Sequence, residues 1–168
     1  MKKPVYMILA AAQNGTIGNL GRLPWRIPED WQYFLKMTRG GILVHGRKCQ
    51  VHHGKPLPDR EIIVLTRNHN YKPPGPNIKL ASSLHAALSL AQALPHPGPI
   101  WIGGGAEIYR ASIPLVERVY LTEIHADFPG DVFMPWDIFA RNGFTKVLEQ
   151  HPGAPGPVPY VFKVLARP

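Results

Sequence analysis

The chain has 168 residues and a formal net charge of +8, with 45% hydrophobic and 18% charged residues. That balance belongs to a folded globular protein and excludes wholesale disorder, and the length suits a single domain, residues 1–168, with a sizeable core of its own. The single cysteine, Cys49, excludes an intramolecular disulfide and any multi-cysteine zinc site.

The opening MKKPVYMILAAAQNGTIG places two lysines before an apolar run, the outline of an export signal. The run is short and Gln13-Asn14-Gly15 follows it, so Val5 to Ala10 reads as a buried first strand and a cytoplasmic location is expected. No other segment is apolar for long enough to span a bilayer. Pro28 stands where a helix can begin, because its missing N–H costs little in a first turn, and that helix runs to about Thr38, before Gly40-Gly41. Ile42 to His45 is a second strand, and Gly46-Arg47-Lys48-Cys49 turns into a short helix. Glu61 to Thr66 is β-branched and apolar enough for the middle of a sheet. Asn70 to Asn77, with three prolines, is a loop, and Ile78 to Leu80 a short strand. Ser82 or Ser83 can cap the helix that ends near Leu94, before Pro95. Ile100 to Ile102 is a strand opening into Gly103-Gly104-Gly105 and a helix from Ala106 to Ile113. Val119 to Ile124 and Phe144 to Leu148 are further strands, and Tyr160 to Leu165 returns antiparallel to the latter across HPGAPGPVP. Strands alternating with helices predict an α/β fold in three layers: a central, mostly parallel twisted sheet with a C-terminal antiparallel strand and helices on both faces.

Lysines and arginines are scattered in ones and twos, with no basic run, so nucleic acid is not an expected partner. The histidines show no metal-ligand spacing, and no metal is expected. Three features carry chemistry. Glu29 and Asp30 lie among Trp25, Trp31, Tyr33 and Phe34, and a carboxylate beside apolar rings is costly unless something binds it. On a helix Asp30, Phe34 and Thr38 share a face, which suits a flat, nitrogen-rich heterocycle whose N–H groups pair with the acid; the competing reading is that Asp30 only caps its own helix and favours the helix dipole. Gly46-Arg47-Lys48 and Gly103-Gly104-Gly105 each follow an apolar strand, and N–H groups exposed at such ends bind phosphates. Neither matches a dinucleotide fingerprint or a P-loop. Arg47, Lys48 and Arg67 at strand ends suit a 2′-phosphate, hence NADP rather than NAD, against the alternative of a solvated basic surface.

Together these pieces resemble dihydrofolate reductase over nearly the whole chain. The resemblance rests on Asn14-Gly15-Thr16-Ile17-Gly18, Leu23-Pro24-Trp25-x-Ile27-Pro28-x-Asp30-x-x-x-Phe34, Gly46-Arg47, Pro56-Leu57-Pro58-x-Arg60, Val64-Leu65-Thr66-Arg67, Ile102 to Tyr109, Leu121-Thr122-x-Ile124-x-Ala126, Gly130-Asp131 and Pro135, in that order. It implies NADPH-dependent reduction of 7,8-dihydrofolate to tetrahydrofolate, with hydride passing to pterin C6 and a proton to N5. It also implies that Asp30, helped by Thr122, receives the pterin 2-amino group and N3, while Glu29 falls on a variable position. Trp25 would hold an ordered water near Asp30, and the loop around Leu23 would gate the water that supplies the proton.

Ile8, Ala10, Leu23, Trp31, Phe34, Leu57 and Ile102 would wall the pterin and benzoyl pocket, with His53 and Tyr109 beside the substrate. Arg60 would pair with the glutamate α-carboxylate. Ala11, Ile17, Gly18 and Asn19 would meet the cofactor, as would Gly46, Arg47, Lys48, Cys49, Leu65, Thr66 and Arg67. Gly103, with the cis pair Gly104-Gly105, and Ala106, Glu107 and Ile108 at the start of the next helix would complete the cofactor side. Antifolates such as trimethoprim are implied inhibitors, and a monomer is the expected state.

The chain departs from the family pattern at several positions. Cys49 replaces a hydroxyl residue, Gln50 a tryptophan, and His45 a methionine; His52 and His53 stand on the rim; and Trp31 is larger than usual. In the run Ile102-Gly103-Gly104-Gly105-Ala106-Glu107 either an extra residue is accommodated or Gly103 takes the pocket's apolar position. A modified pterin such as dihydromethanopterin, or a pyrimidinone of riboflavin synthesis, is the rival substrate. A non-catalytic NADPH- or nucleic-acid-binding protein is the rival from another class. Asp30, Thr122 and Arg60 together favour folate, since only a glutamate tail obviously needs Arg60.

Overall fold

The computed structural model describes the backbone of residues 1–168 and every side chain except that of His52. Its elements, in chain order, are β1 (Val5–Ala12), β2 (Thr16–Gly18), α1 (Pro28–Thr38), β3 (Ile42–Gly46), α2 (Arg47–His53), β4 (Glu61–Leu65), β5 (Ile78–Ala81), α3 (Leu84–Ala93), β6 (Ile100–Ile102), α4 (Ala106–Ser112), β7 (Arg118–Ile124), β8 (Val132–Phe133), α5 (Asp137–Arg141), β9 (Lys146–Pro152) and β10 (Tyr160–Ala166). Eight strands form one sheet in the order β5-β4-β3-β6-β1-β7-β10-β9, and β2 pairs with β8 in a small second sheet. The pairings from β5 to β7 are parallel, while β10 runs antiparallel to both β7 and β9. The α/β expectation, with its C-terminal antiparallel strand, holds.

Side chains alternate across the strands and so feed two layers. Val5, Met7, Leu9 and Ala11 of β1 face a core shared with Ala87 and Ala91 of α3, Tyr109 of α4 and Phe139 of α5. Ile8 faces the other way, with Leu43, Leu57, Ile62, Val64 and Trp101, under Tyr33, Phe34, Leu35 and Met37 of α1. Ile42, Leu43, Ile62, Ile63, Ile100 and Ile102 are fully buried; burial of each such side chain stabilises the fold by roughly 1.5–3 kcal/mol. A third cluster, Ala12, Trp25, Ile124, Tyr160 and Phe162, closes the end of the sheet nearest α1.

The helix boundaries follow local chemistry. Ser83 caps α3 by accepting from the Ala86 N–H at 3.0 Å, which selects it over Ser82. Helix α1 has Pro28 in its first turn and no side-chain cap. At its other end Thr38 turns its hydroxyl back to the Phe34 carbonyl at 2.8 Å, and the chain leaves the helix at Arg39 before Gly40 at φ +73°. Three elements lie outside the sequence expectation: the pair β2 and β8, and the five-residue α5. The ninth strand begins two residues later than expected and runs to Pro152, into the HPGAPGPVP segment, with all seven residues exposed.

Candidate active site

The carboxyl ends of β3, β4 and β6, three adjacent strands, bring the glycine-led turns together. Gly46 ends β3, Leu65 ends β4 with Thr66 and Arg67 just beyond it, and Gly103, Gly104 and Gly105 follow β6. The Gly46 N–H donates to the Gly104 carbonyl at 2.9 Å, so the two turns touch. The Gly104-Gly105 peptide bond is cis. Gly104 has φ +115°, and a Cβ there would stand 3.2 Å from Cys49 Sγ and 3.3 Å from the Tyr109 hydroxyl, so the backbone sits against both side chains. That hydroxyl donates to the Ile8 carbonyl at 2.9 Å, tying α4 to β1. Arg47 of α2 and the exposed Arg67 have no ion pair among the described residues, and Glu107 is exposed in the first turn of α4 with Ala106 and Ile108 on either side. Lys48 is exposed, and burial raises the Cys49 thiol above its ordinary pKa.

The acid of α1 stands on the opposite side of β1 from these turns. Thr122 of β7, directly beside Ala10 in the parallel ladder, donates its hydroxyl to Asp30 Oδ1 at 2.7 Å. Desolvation raises Asp30 to a pKa of about 6, against the lowering effect of the Thr122 bond, and the nearby Glu29 charge adds to the rise. Glu29 points elsewhere: one of its oxygens accepts from the Tyr160 hydroxyl at 2.7 Å and from the Ala154 N–H at 2.9 Å. Asp30 is therefore neither a cap nor a solvated first-turn acid, since Ile27 occupies the cap position of α1. Trp25 lies in the third cluster, edge-on to Phe128 at 5.5 Å, with its buried Nε1 lacking a protein partner.

Between α1 and β3 the rings of Trp31, Phe34, His53 and His45 cluster, stacked except for the tilted Trp31–His53 pair. Trp31 and Phe34 stack at 5.3 Å, His53 stands 5.2 Å from Trp31 and 5.9 Å from Phe34, and His45 stacks on His53 at 5.4 Å. His45 is fully buried; its Nε2 donates to Gln50 Oε1 at 2.9 Å, and desolvation lowers its pKa to about 4, so it is neutral at physiological pH. Leu57 is buried in the same layer as Ile8. Arg60 is 5% exposed, donates from Nη1 to Thr38 at 3.1 Å, and has a buried Nε without a partner. Asp59, its neighbour, pairs with Arg39 instead, at 3.6 Å. Among the described residues no acid lies within ion-pair distance of this guanidinium, and burying an unpaired charge is costly.

One expectation is overturned. Ile102 does not join the layer of Ile8 and Phe34: it packs with Met7 and Val44 on the other face, because Trp101, one residue earlier, takes the near face. The β6 pairings with β1 and β3 carry no register shift through Ile102. Gly103 occupies the near-face position instead, and a Cβ on it would stand 2.7 Å from Leu43 Cδ1. Leu43 thus fills the space that a side chain at position 103 would need, a compensation that no local sequence pattern signals.

Other expected residues are placed as follows. Ala11 faces the α3–α4 core, with its carbonyl accepting from Trp136 Nε1 at 3.0 Å, and Ile17 packs on the same core. Gly18 and Asn19 lead into a turn held from the β7–β8 connection: Asp131 N–H donates to the Gly18 carbonyl at 3.0 Å, and the Asp131 carboxylate accepts from the Leu20 N–H at 3.3 Å. Leu23, just beyond, is 44% exposed. Among the described residues no cluster of His, Cys, Asp or Glu could hold a metal ion, and no helix is long and apolar enough to cross a membrane.

Comparison with known proteins gives these positions a context. Residues 4–167 match a family model described as dihydrofolate reductase. A dihydrofolate reductase of Staphylococcus haemolyticus is 38% identical over 133 residues, covering 78% of this chain and 76% of that protein. One from Bacillus subtilis is 35% identical over 148 residues, covering 84% and 85%. A solved structure of dihydrofolate reductase from Enterococcus faecalis, complexed with NADP(H) and RAB-propyl, superimposes with a TM-score of 0.85 at 30% identity, covering 98% of this chain and 96% of that one.

Proposed function

The chain belongs to the dihydrofolate reductase family, and from that premise we propose that it reduces 7,8-dihydrofolate to 5,6,7,8-tetrahydrofolate with NADPH. The observation that carries the residue assignment is the Thr122–Asp30 hydrogen bond at 2.7 Å, on an acid that desolvation raises to about 6. A carboxylate so placed accepts paired N–H bonds from the 2-amino group and N3 of a pterin, and Thr122 fixes which oxygen remains free to do so. In the reaction the C6=N5 bond gains a hydride at C6 and a proton at N5. When bound, NADPH supplies that hydride and leaves as NADP⁺. Asp30 orients the ring and tracks its protonation; the proton itself reaches N5 through a water gated by the Leu23 loop, with Trp25 Nε1 as the free donor that would hold water near the acid.

The protein fits the cofactor on its own geometry. The contact between the Gly46 and Gly104 turns offers bare backbone, and a Cβ on Gly105 would meet nothing within 4 Å. Arg47 and Arg67, without acidic partners among the described residues, suit a 2′-phosphate, with Lys48, Cys49, Leu65 and Thr66 alongside. Ala11, Ile17, Gly18 and Asn19 would line the nicotinamide end, and Ala106 to Ile108 the pyrophosphate. On the substrate side, Ile8, Ala10, Trp31, Phe34, His53 and Leu57 would enclose pterin and benzoyl rings. Arg60 would take the glutamate α-carboxylate, completing the arrangement left open at its Nε. Antifolates would compete for the same cleft. A monomer acting in the cytoplasm suffices, since one chain carries every residue this reading uses.

The test is spectrophotometric: NADPH oxidation strictly dependent on dihydrofolate, much slower with NADH, and mostly lost in Asp30→Asn at neutral pH. Faster turnover of a pterin without a glutamate tail would overturn the substrate assignment.

A further inference from the structure

The first turn of α1 lacks the usual means of fixing a helix start. Ile27, at its cap position, has no side chain able to accept, and Pro28 follows it. Two adjacent carboxylates tie the turn to the sheet instead. Asp30 is held by Thr122 of β7 at 2.7 Å, and Glu29 by the Tyr160 hydroxyl of β10 at 2.7 Å and the Ala154 N–H of the β9–β10 connection at 2.9 Å. Strands β7 and β10 pair antiparallel, with Thr122 opposite Phe162 and Ile124 opposite Tyr160, so both anchors belong to one hydrogen-bonded ladder. Tyr160 is 8% exposed, and its ring meets Phe162 edge-on at 5.6 Å, so its hydroxyl is a fixed donor.

We propose that Glu29 is a positioning residue for Asp30: its grip on Tyr160 and Ala154 holds the first turn of α1 so that the neighbouring carboxylate stays against Thr122. This rests on the reading of Asp30 as the carboxylate that takes the substrate. The titratable groups around Asp30 are Glu29 and Tyr33 on its own helix, Tyr109 on α4 and Tyr160 on β10; His151 on β9 also acts on Glu29. Burial raises Tyr33, Tyr109 and Tyr160 further above their ordinary range, so they stay neutral as Asp30 titrates. The Tyr160 hydroxyl, then the Ala154 N–H, hold Glu29 below the usual carboxylate range, so it is ionised throughout and adds to the rise in Asp30. Glu29 therefore acts on Asp30 by geometry and by charge, two effects that separate by mutation.

The experiment uses the full chain and three variants. Glu29→Gln keeps the accepting oxygen and removes the charge, Glu29→Ala removes both, and Tyr160→Phe keeps the charge and removes one donor. The Asp30 midpoint is read by carboxyl ¹³C NMR in the free protein, and kcat and KM by dihydrofolate-dependent NADPH oxidation across pH. Glu29→Gln, which keeps the anchor, is expected to lower the Asp30 midpoint by about half a pH unit, the effect of a like charge nearby through largely aqueous surroundings; Glu29→Ala also loosens the Thr122 contact, whose loss raises the midpoint, so its midpoint is expected to lie above that of Glu29→Gln. Tyr160→Phe is expected to lose about fivefold in kcat, the effect of one anchoring hydrogen bond, and Glu29→Ala, which loses both, at least as much, with KM for NADPH unchanged in each. An Asp30 midpoint unmoved in Glu29→Gln, the same midpoint in both Glu29 variants, or parental kcat in both Glu29→Ala and Tyr160→Phe, overturns the proposal. If the parent itself fails to oxidise NADPH with dihydrofolate, the functional reading fails separately and the NMR titration alone decides the role of Glu29.

Discussion

Replacing Thr122 with valine removes one hydroxyl from the site while preserving its volume and branching. In the parent that hydroxyl donates to Asp30 Oδ1 at 2.7 Å, and it lowers the acid's pKa against the larger effect of desolvation. A hydrogen bond to a charged group is worth about 1.5–3 kcal/mol, and the lower end applies to Asp30, which is partly exposed. Because the bond favours the ionised form, its loss raises the pKa, and 1.36 kcal/mol corresponds to roughly one pH unit. The Asp30 midpoint should therefore move from about 6 to about 7. At pH 7 the parent acid is roughly nine-tenths ionised and that of the variant about half. Carboxyl ¹³C NMR of Asp30 measures the midpoint directly, and the pH dependence of dihydrofolate-dependent NADPH oxidation should shift in the same direction. A midpoint that stays at the parental value or falls would refute the claim that Thr122 governs this carboxylate.

Arg60→Ala should raise KM for dihydrofolate about 30- to 100-fold with kcat nearly kept, as expected for loss of a paired guanidinium–carboxylate contact, and should leave KM for a pterin without the glutamate tail unchanged. Arg47→Ala and Arg67→Ala should each reduce the preference for NADPH over NADH roughly tenfold, measured as the ratio of kcat/KM values, with NADH kinetics unaffected. Stability should respond to pH in two opposed ways. Asp30, raised from 3.8 to about 6, contributes stability that is complete below its unfolded pKa and lost as pH rises through about 6, whereas His45, lowered from 6.5 to about 4, contributes stability present above 6.5 and lost as pH falls through about 4. Each displacement corresponds to about 3 kcal/mol at most. In urea titrations Asp30→Asn should thus gain on the parent between pH 4 and 6 as pH rises, and His45→Met should gain as pH falls from 6.5 to 4; the same gain at every pH would refute the linkage.

Much of the fold was legible because long apolar runs and helix signals are local. β3, β4 and β6 were readable from Ile42 to Val44, Ile62 to Val64 and Ile100 to Ile102, all fully buried except Trp101 at 3%. The β2–β8 pair was not readable: strands of three and two residues show no period, and their partners lie more than 110 positions apart. The exposed β9 lacks an apolar face, so its end at Pro152 follows from pairing with β10 rather than from its own residues.

The same division runs through the site. The sequence by itself determined which side chains are available: one acid two residues after the proline, the strand-end glycines with their arginines, a threonine on β7, and Arg60 after the Pro-Leu-Pro turn. Only the tertiary structure decided what each of them faces. Glu29 and Asp30 are equivalent by composition, and they separate because one meets Tyr160 and Ala154 while the other meets Thr122, across sequence gaps of 131, 125 and 92 residues. Ile102 leaves the pocket layer and Gly103 stands in its place because a strand turns successive side chains to opposite faces, and the face that Trp101 takes sends Ile102 to the other. Chemical identity is carried by single residues and can be read singly; orientation is a property of pairs brought together by packing, and a linear chain carries no local mark of it.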